Sequence, residues 1–162
     1  MKGSERFELR PLDEIVPRLF QGMRPSTYRG YDLVVSCEQF LAKGPMEEYN
    51  GVVVHCPMRD ADDFYIDERM IMSAAFAAVA AYNRGGRVLV HCTGGLNRSS
   101  VVTARTLQLM GYTAAEAVLM LRTNHDAMCL CNRSFERWVL GEQLPTAETS
   151  IFREETDGQS DG

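Results

Sequence analysis

No apolar run in this chain of 162 residues approaches the ~18 that a membrane-spanning helix needs. The opening residues, Met1-Lys2-Gly3-Ser4-Glu5-Arg6, lead into no apolar signal segment either, so a cytoplasmic location without a membrane partner is expected. An excess of positive charge is also missing: the formal net charge is −5. Proteins that coat nucleic acid or anionic membranes need a basic surface, so both tasks are disfavoured. There is no disulfide framework. The five cysteines, Cys37, Cys56, Cys92, Cys129 and Cys131, are odd in number and irregularly spaced, as for reduced thiols. Cys129 and Cys131 stand near His125, but C-x-C without a second cysteine pair falls short of a zinc site and reads as ordinary buried thiols. Internal repeats, low-complexity linkers and the ATP-binding pattern G-x-x-x-x-G-K-[ST] are all missing.

What is present is the balance of an ordinary globular protein, 45% hydrophobic and 24% charged. The length suits one domain with a real core. Residues 1–10 are polar and read as a flexible start, 11–144 as the domain, and 145–162 as an acidic, disordered tail. Short apolar runs at 18–22, 32–36, 51–55 and 87–91 read as strands, the last three as buried ones. Helices are expected at 67–83, closed by Arg84-Gly85-Gly86, and at 99–110, closed by Gly111. Met70, Met72, Phe76 and Val79 are core candidates of the first. Thr113-Ala114-Ala115-Glu116 is a capping box opening a helix to Thr123, and Asn132 is placed to cap a last helix to Leu140. Alternating strands and helices give a single α/β domain, with a mixed sheet of about four or five strands flanked by helices on both faces.

The stretch His91-Cys92-Thr93-Gly94-Gly95-Leu96-Asn97-Arg98-Ser99-Ser100 lies where a strand hands over to a helix, the place where α/β sheets bind ligands. If Thr93, Gly94, Gly95, Leu96 and Asn97 curl, their N–H groups point into one concavity, and the glycines permit the unusual φ angles this needs. The helix start adds its positive end. Arg98 adds a planar fork matching two phosphate oxygens. Such a loop holds a dianion above the Cys92 sulfur, and the same field favours thiolate, a strong nucleophile. Ser99 is placed to assist the sulfur as it leaves, and His91 to brace the loop from behind. The leaving group needs a proton, for which Asp60, Asp62 and Asp63 are candidates on the loop after the third strand.

H-C-x5-R-S between an apolar strand and a helix resembles the signature of the cysteine-based protein tyrosine phosphatases. C-x5-R alone would arise by chance; its setting makes it specific. The likeness to the small dual-specificity phosphatases runs over about residues 12–142, with 14–22 similar to their opening strand and Asn132-Arg133-Ser134-Phe135 to the N-x-x-F of their last helix. Their acid follows a strand at about the distance that separates Asp60 from Cys92, 32 residues, so the resemblance selects Asp60. It implies metal-independent hydrolysis of phosphotyrosine in proteins, with phosphoserine and phosphothreonine as further candidates, through a phosphocysteine intermediate. Cys92 is then the nucleophile, Arg98 and the 93–97 backbone hold phosphate, and Asp60 is acid and then base. No metal or organic cofactor is implied, and the partner is a phosphoprotein.

Two alternatives stay open. Gly94-Gly95 stands where the subfamily often has Ala-Gly. The loop also partly resembles C-T-H-G-x-N-R-T of cysteine-dependent RNA 5′-triphosphatases, with Gly94 for their histidine and Ser99 for their threonine, which would make an RNA 5′ end the substrate. A pseudophosphatase that holds phosphotyrosine without cleaving it is the other. Phosphoinositide phosphatases of the superfamily carry lysines in this loop, and here there are none. Cys37 ends the second strand, where some lipid-phosphatase relatives have a cysteine that forms a reversible disulfide with the nucleophile.

Overall fold

Largely β-branched and aliphatic runs at 33–36 and 88–92 are buried throughout, because strands covered on both faces need no alternation, whereas the run at 51–55, read as buried, lies at the edge of the sheet with Val52 exposed and Val53, Val54 and His55 half-buried. The computed structural model describes residues 12–61 and 66–141. Both terminal segments expected to be loose, and Asp62 and Asp63, lie outside the described residues. The strands are β1 (Asp13–Val16), β2 (Leu19–Met23), β3 (Leu33–Ser36), β4 (Val52–His55) and β5 (Val88–Cys92). Their order is β1-β2-β5-β3-β4, antiparallel between β1 and β2 and parallel elsewhere. The run at 14–22, read as one opening strand, is a hairpin: it reverses at Pro17-Arg18, where Arg18 takes φ 72°.

Four α-helices follow the expected signals. α1 (Glu68–Asn83) is capped by Asp67, whose side chain accepts from Met70 N–H. α2 (Arg98–Leu109) ends before Gly111 at φ 108°. α3 (Ala114–Asn124) opens with the complete Thr113/Glu116 capping box. α4 (Arg133–Leu140) is capped by Asn132, which accepts from Ser134 and Phe135 N–H. All four contribute to one apolar cluster with Leu19, Leu33, Val35, Val88 and Val90. The opposite face, with Phe20, Val34 and Leu89, is covered by Tyr28, Tyr31, Tyr49 and Met46 of the β3–β4 and β2–β3 connections. The α-helices therefore share one face rather than lying on both as expected, and aromatic loop residues close the other. Within α1 the buried side chains are Ile71 and four alanines. Phe76, a core candidate from the sequence, is exposed; the close approach of α1 to α2 admits small residues instead.

β5 is central, with β2 and β3 on either side. Its carboxyl end delivers Cys92 to the upper edge of the sheet, directly before α2.

Candidate functional site

The chain leaves β5 at Cys92 and reaches α2 within five residues, so the loop must turn tightly. Gly95 makes the turn at φ 69°, and a Cβ there would stand 2.8 Å from Gly22 C and 2.9 Å from Met23 N. Gly94 has open space around it. Only the second glycine is thus required by the backbone, which reconciles Gly94-Gly95 with the Ala-Gly often found in the subfamily.

Cys92 is 2% exposed, at the floor of the loop. Gly95 N–H donates to its Sγ (3.1 Å), and Ser99 Oγ lies 3.3 Å away. The carbonyls face outward. Gly95 O accepts from Gln21 Nε2 (3.2 Å), and His125 Nε2 lies 2.8 Å from it. Leu96 O accepts from Ser100 Oγ (2.7 Å) and Leu130 N–H (2.9 Å). Peptides here are trans, so the N–H groups of Leu96 and Asn97 point to the other side. Asn97, the N-cap of α2, makes no side-chain cap bond. The first-turn N–H groups are left to the helix's positive end.

Asn97 spends its amide elsewhere. Its Nδ2 donates to Asp60 Oδ2 (3.0 Å) and its Oδ1 accepts from Asn132 N–H (2.9 Å). Asn132 Nδ2 donates to Asp60 Oδ1 (2.8 Å) and Ala61 O (3.2 Å). Asp60, itself exposed, is thereby held through one oxygen by the loop and through the other by the cap of α4. Arg98 donates through one terminal nitrogen to Met58 O (3.3 Å), while its buried Nε has no partner among the described residues. Thr93, exposed at the rim, donates to Glu38 Oε1 (3.0 Å), and Glu38 pairs with Arg24.

His91 is wholly buried, with Nε2 2.7 Å from the Tyr28 hydroxyl. Burial, reinforced by the Arg24 charge, lowers its pKa to about 4, so it is neutral at neutral pH. Its carbonyl accepts from Cys37 N–H (2.9 Å), placing Cys37 beside Cys92 across the β3–β5 ladder. Burial, then a neighbouring Cys56 thiol, pushes the Cys37 thiol pKa up. Of the residues weighed for zinc, His125 faces Asp13 and Gly95, and Cys131 faces Asn97.

The loop therefore gathers Cys92, Arg98, Ser99 and Asp60, with His91 behind. Sequence reasoning missed Gln21, Tyr28 and Glu38, weighed His125 only for zinc, and read Asn132 as a helix cap and as part of N-x-x-F without linking it to Asp60. Gln21 carried a usable signal: a polar residue inside an apolar strand must find a partner. A cavity of about 580 Å³, lined by Arg29, Asp32, Tyr49 and Asn50 among others, lies at the amino ends of β3 and β4, the far end of the sheet. Its lining includes no cysteine, serine or threonine, and it lies at the opposite end of the strands from Cys92. No helix among the described residues is long and apolar enough to cross a membrane.

Residues 31–143 match the family model of the dual specificity phosphatase catalytic domain. Among solved structures, a mouse putative dual specificity phosphatase complexed with zinc tungstate is similar at TM-score 0.72 and 20% identity, over 96% of this chain and 97% of that one. Human DUSP28 is similar at TM-score 0.70 and 21% identity, over 90% and 100%. The human tyrosine phosphatase-like serine/threonine/tyrosine-interacting protein gives 0.67 and 18%, over 88% and 97%. At these identities the likeness is one of fold. No curated protein matched the chain in sequence.

Proposed function

Because this chain belongs to the dual-specificity phosphatase family, we propose that it hydrolyses phosphotyrosine in proteins, with phosphoserine and phosphothreonine as further substrates, through a phosphocysteine intermediate. The observation that carries the reading is the Cys92 sulfur, held by Gly95 N–H and Ser99 Oγ at the uncapped start of α2.

Phosphate enters the loop against the N–H groups of residues 93–97 and the spare N–H of Arg98. The sulfur attacks phosphorus, and the bond to the leaving oxygen breaks as that oxygen takes a proton from Asp60. Asp60, now a carboxylate, accepts a proton from water as the water attacks phosphocysteine, which releases phosphate and returns the sulfur. Negative charge developing on the equatorial oxygens meets preorganised donors that need no rearrangement. Ser99 Oγ stabilises the departing sulfur. His91, neutral and locked on Tyr28, braces the strand end and moves no proton. Asp60 accepts amide donors on both oxygens, so one of these bonds opens when the carboxyl acts as the acid.

The double tie on Asp60 also suits a second reading, a binder that keeps its acid occupied. Phosphate release from a phosphotyrosine peptide, a phosphoserine peptide and a 5′-triphosphate RNA, in excess chelator, separates the cases. Wild type is compared with Cys92→Ser and Asp60→Asn. Peptide turnover abolished by Cys92→Ser and slowed ~10²–10⁴-fold by Asp60→Asn is expected. Turnover of RNA alone moves the chain to the triphosphatase class. Tight peptide binding without turnover makes it the binder.

A further inference from the structure

His125 lies outside the C-x5-R loop, yet its ring is in contact with it. Its Nδ1 stands 2.6 Å from Asp13 Oδ2 and its Nε2 2.8 Å from Gly95 O. A carboxylate and a backbone carbonyl only accept hydrogen bonds, so both ring nitrogens must donate. The side chain is 7% exposed. It also caps the carboxyl end of α3, where the helix dipole favours a cation. Other charged side chains of this segment have different partners: Arg122 donates to Cys129 O and pairs with Glu136, and Asp126 accepts from Met128 N–H.

We propose that His125 is a buried imidazolium, balanced by Asp13, that positions the phosphate loop by holding Gly95 O away from the anion site. This rests on reading the loop as the phosphate cradle. Gly95 O and Leu96 N–H belong to one trans peptide. Fixing the carbonyl on His125 and Gln21 fixes the N–H on the opposite side, where it meets phosphate. A charged donor also polarises that peptide, making its N–H a stronger donor. His125 touches no substrate and is a positioning residue.

The test combines a spectroscopic signature with oxyanion binding. The chain has three histidines, so ¹⁵N correlation spectra of the imidazoles resolve each ring. His125 is expected to show the two-proton pattern of an imidazolium at neutral pH, and His91 a neutral one. His125→Phe is expected to weaken inorganic vanadate binding, and to lower kcat/KM on a phosphotyrosine peptide, by about tenfold. His125→Gln, which keeps a neutral donor, recovers part of both. Should His125→Phe not fold, Asp13→Asn removes only the counter-charge, from a side chain 32% exposed. It is expected to convert His125 to a neutral pattern and to weaken vanadate binding several-fold. A neutral His125 in wild type overturns the proposal. So does unchanged vanadate affinity in the folded variants, while wild-type turnover leaves the loop reading standing. Wild type that neither binds vanadate nor hydrolyses peptide overturns both together.

Discussion

Acid should unsettle this fold through one ring. His91 titrates near 6.5 in an unfolded chain and is lowered to about 4 here, first by burial and then by Arg24. Between those two values the unfolded chain takes up a proton that the folded chain refuses. Stability is therefore fully present above about pH 6.5 and falls as pH drops towards about 4. The gap corresponds to about 3 kcal/mol, using about 1.4 kcal/mol for each tenfold step in proton affinity. That is a large share of a typical domain's stability. Urea unfolding of wild type and His91→Gln, measured from about pH 7 to about pH 4.5, isolates the contribution, because carboxylates titrate alike in both. The variant starts less stable, having lost the Tyr28 contact, but its curve is expected to be flatter across the window. Parallel curves would refute the reasoning and show that the ring is charged, or solvated, in the folded state. The same lowered value says that the positive field at Cys92 owes nothing to His91 and comes from Arg98, the N–H groups and the α2 terminus.

Three further outcomes are expected. Gly95→Ala should lose activity and lower the melting temperature, because a Cβ there meets the β2 backbone at 2.8 Å, whereas Gly94→Ala should keep both within about 0.5 kcal/mol and twofold in rate; equal damage at the two sites would contradict the loop geometry. Asn132→Ala should cost about 1 kcal/mol as a lost helix cap and, by releasing Asp60, lower kcat by about tenfold, an effect absent if Asp60 is not the acid. Peroxide inactivation should be reversed by dithiothreitol in wild type but not in Cys37→Ser, since Cys37 adjoins Cys92 across the ladder and can capture its sulfenic acid; identical behaviour would leave Cys37 an inert buried thiol.

The parts of this molecule that were readable from the chain are those whose physics is local. The capping box at Thr113 and Glu116, the left-handed Gly111 and the Asn132 cap each involve partners within a few residues, and each formed as written. The Cys92–Arg98 loop is local as well, so its members could be named before any coordinates. Turn chemistry hid the β1–β2 hairpin: Pro17-Arg18 reverses the chain with a positive φ at arginine, where glycine or asparagine would have signalled it. Size misled the reading of α1, since Phe76 is large and apolar but faces outward while alanines meet α2.

What could not be read is what keeps the loop in shape. Gln21 reaches Gly95 across 74 residues, Tyr28 reaches His91 across 63, and Asp13 reaches His125 across 112. No spacing rule connects such pairs, because only the sheet order sets β2 beside β5 and β1 beyond β2. Yet the chemistry assigned to Cys92 depends on them: without donors on the Gly95 and Leu96 carbonyls, those peptides are free to turn, and a carbonyl facing phosphate repels where an N–H attracts. A C-x5-R motif therefore specifies which atoms would react, whereas the buried polar contacts from distant strands decide whether the loop is set to use them. Substitutions at Gln21 or Asp13, far from the motif in sequence, are for that reason expected to affect phosphate binding more than the replacement of exposed Gly94 within it.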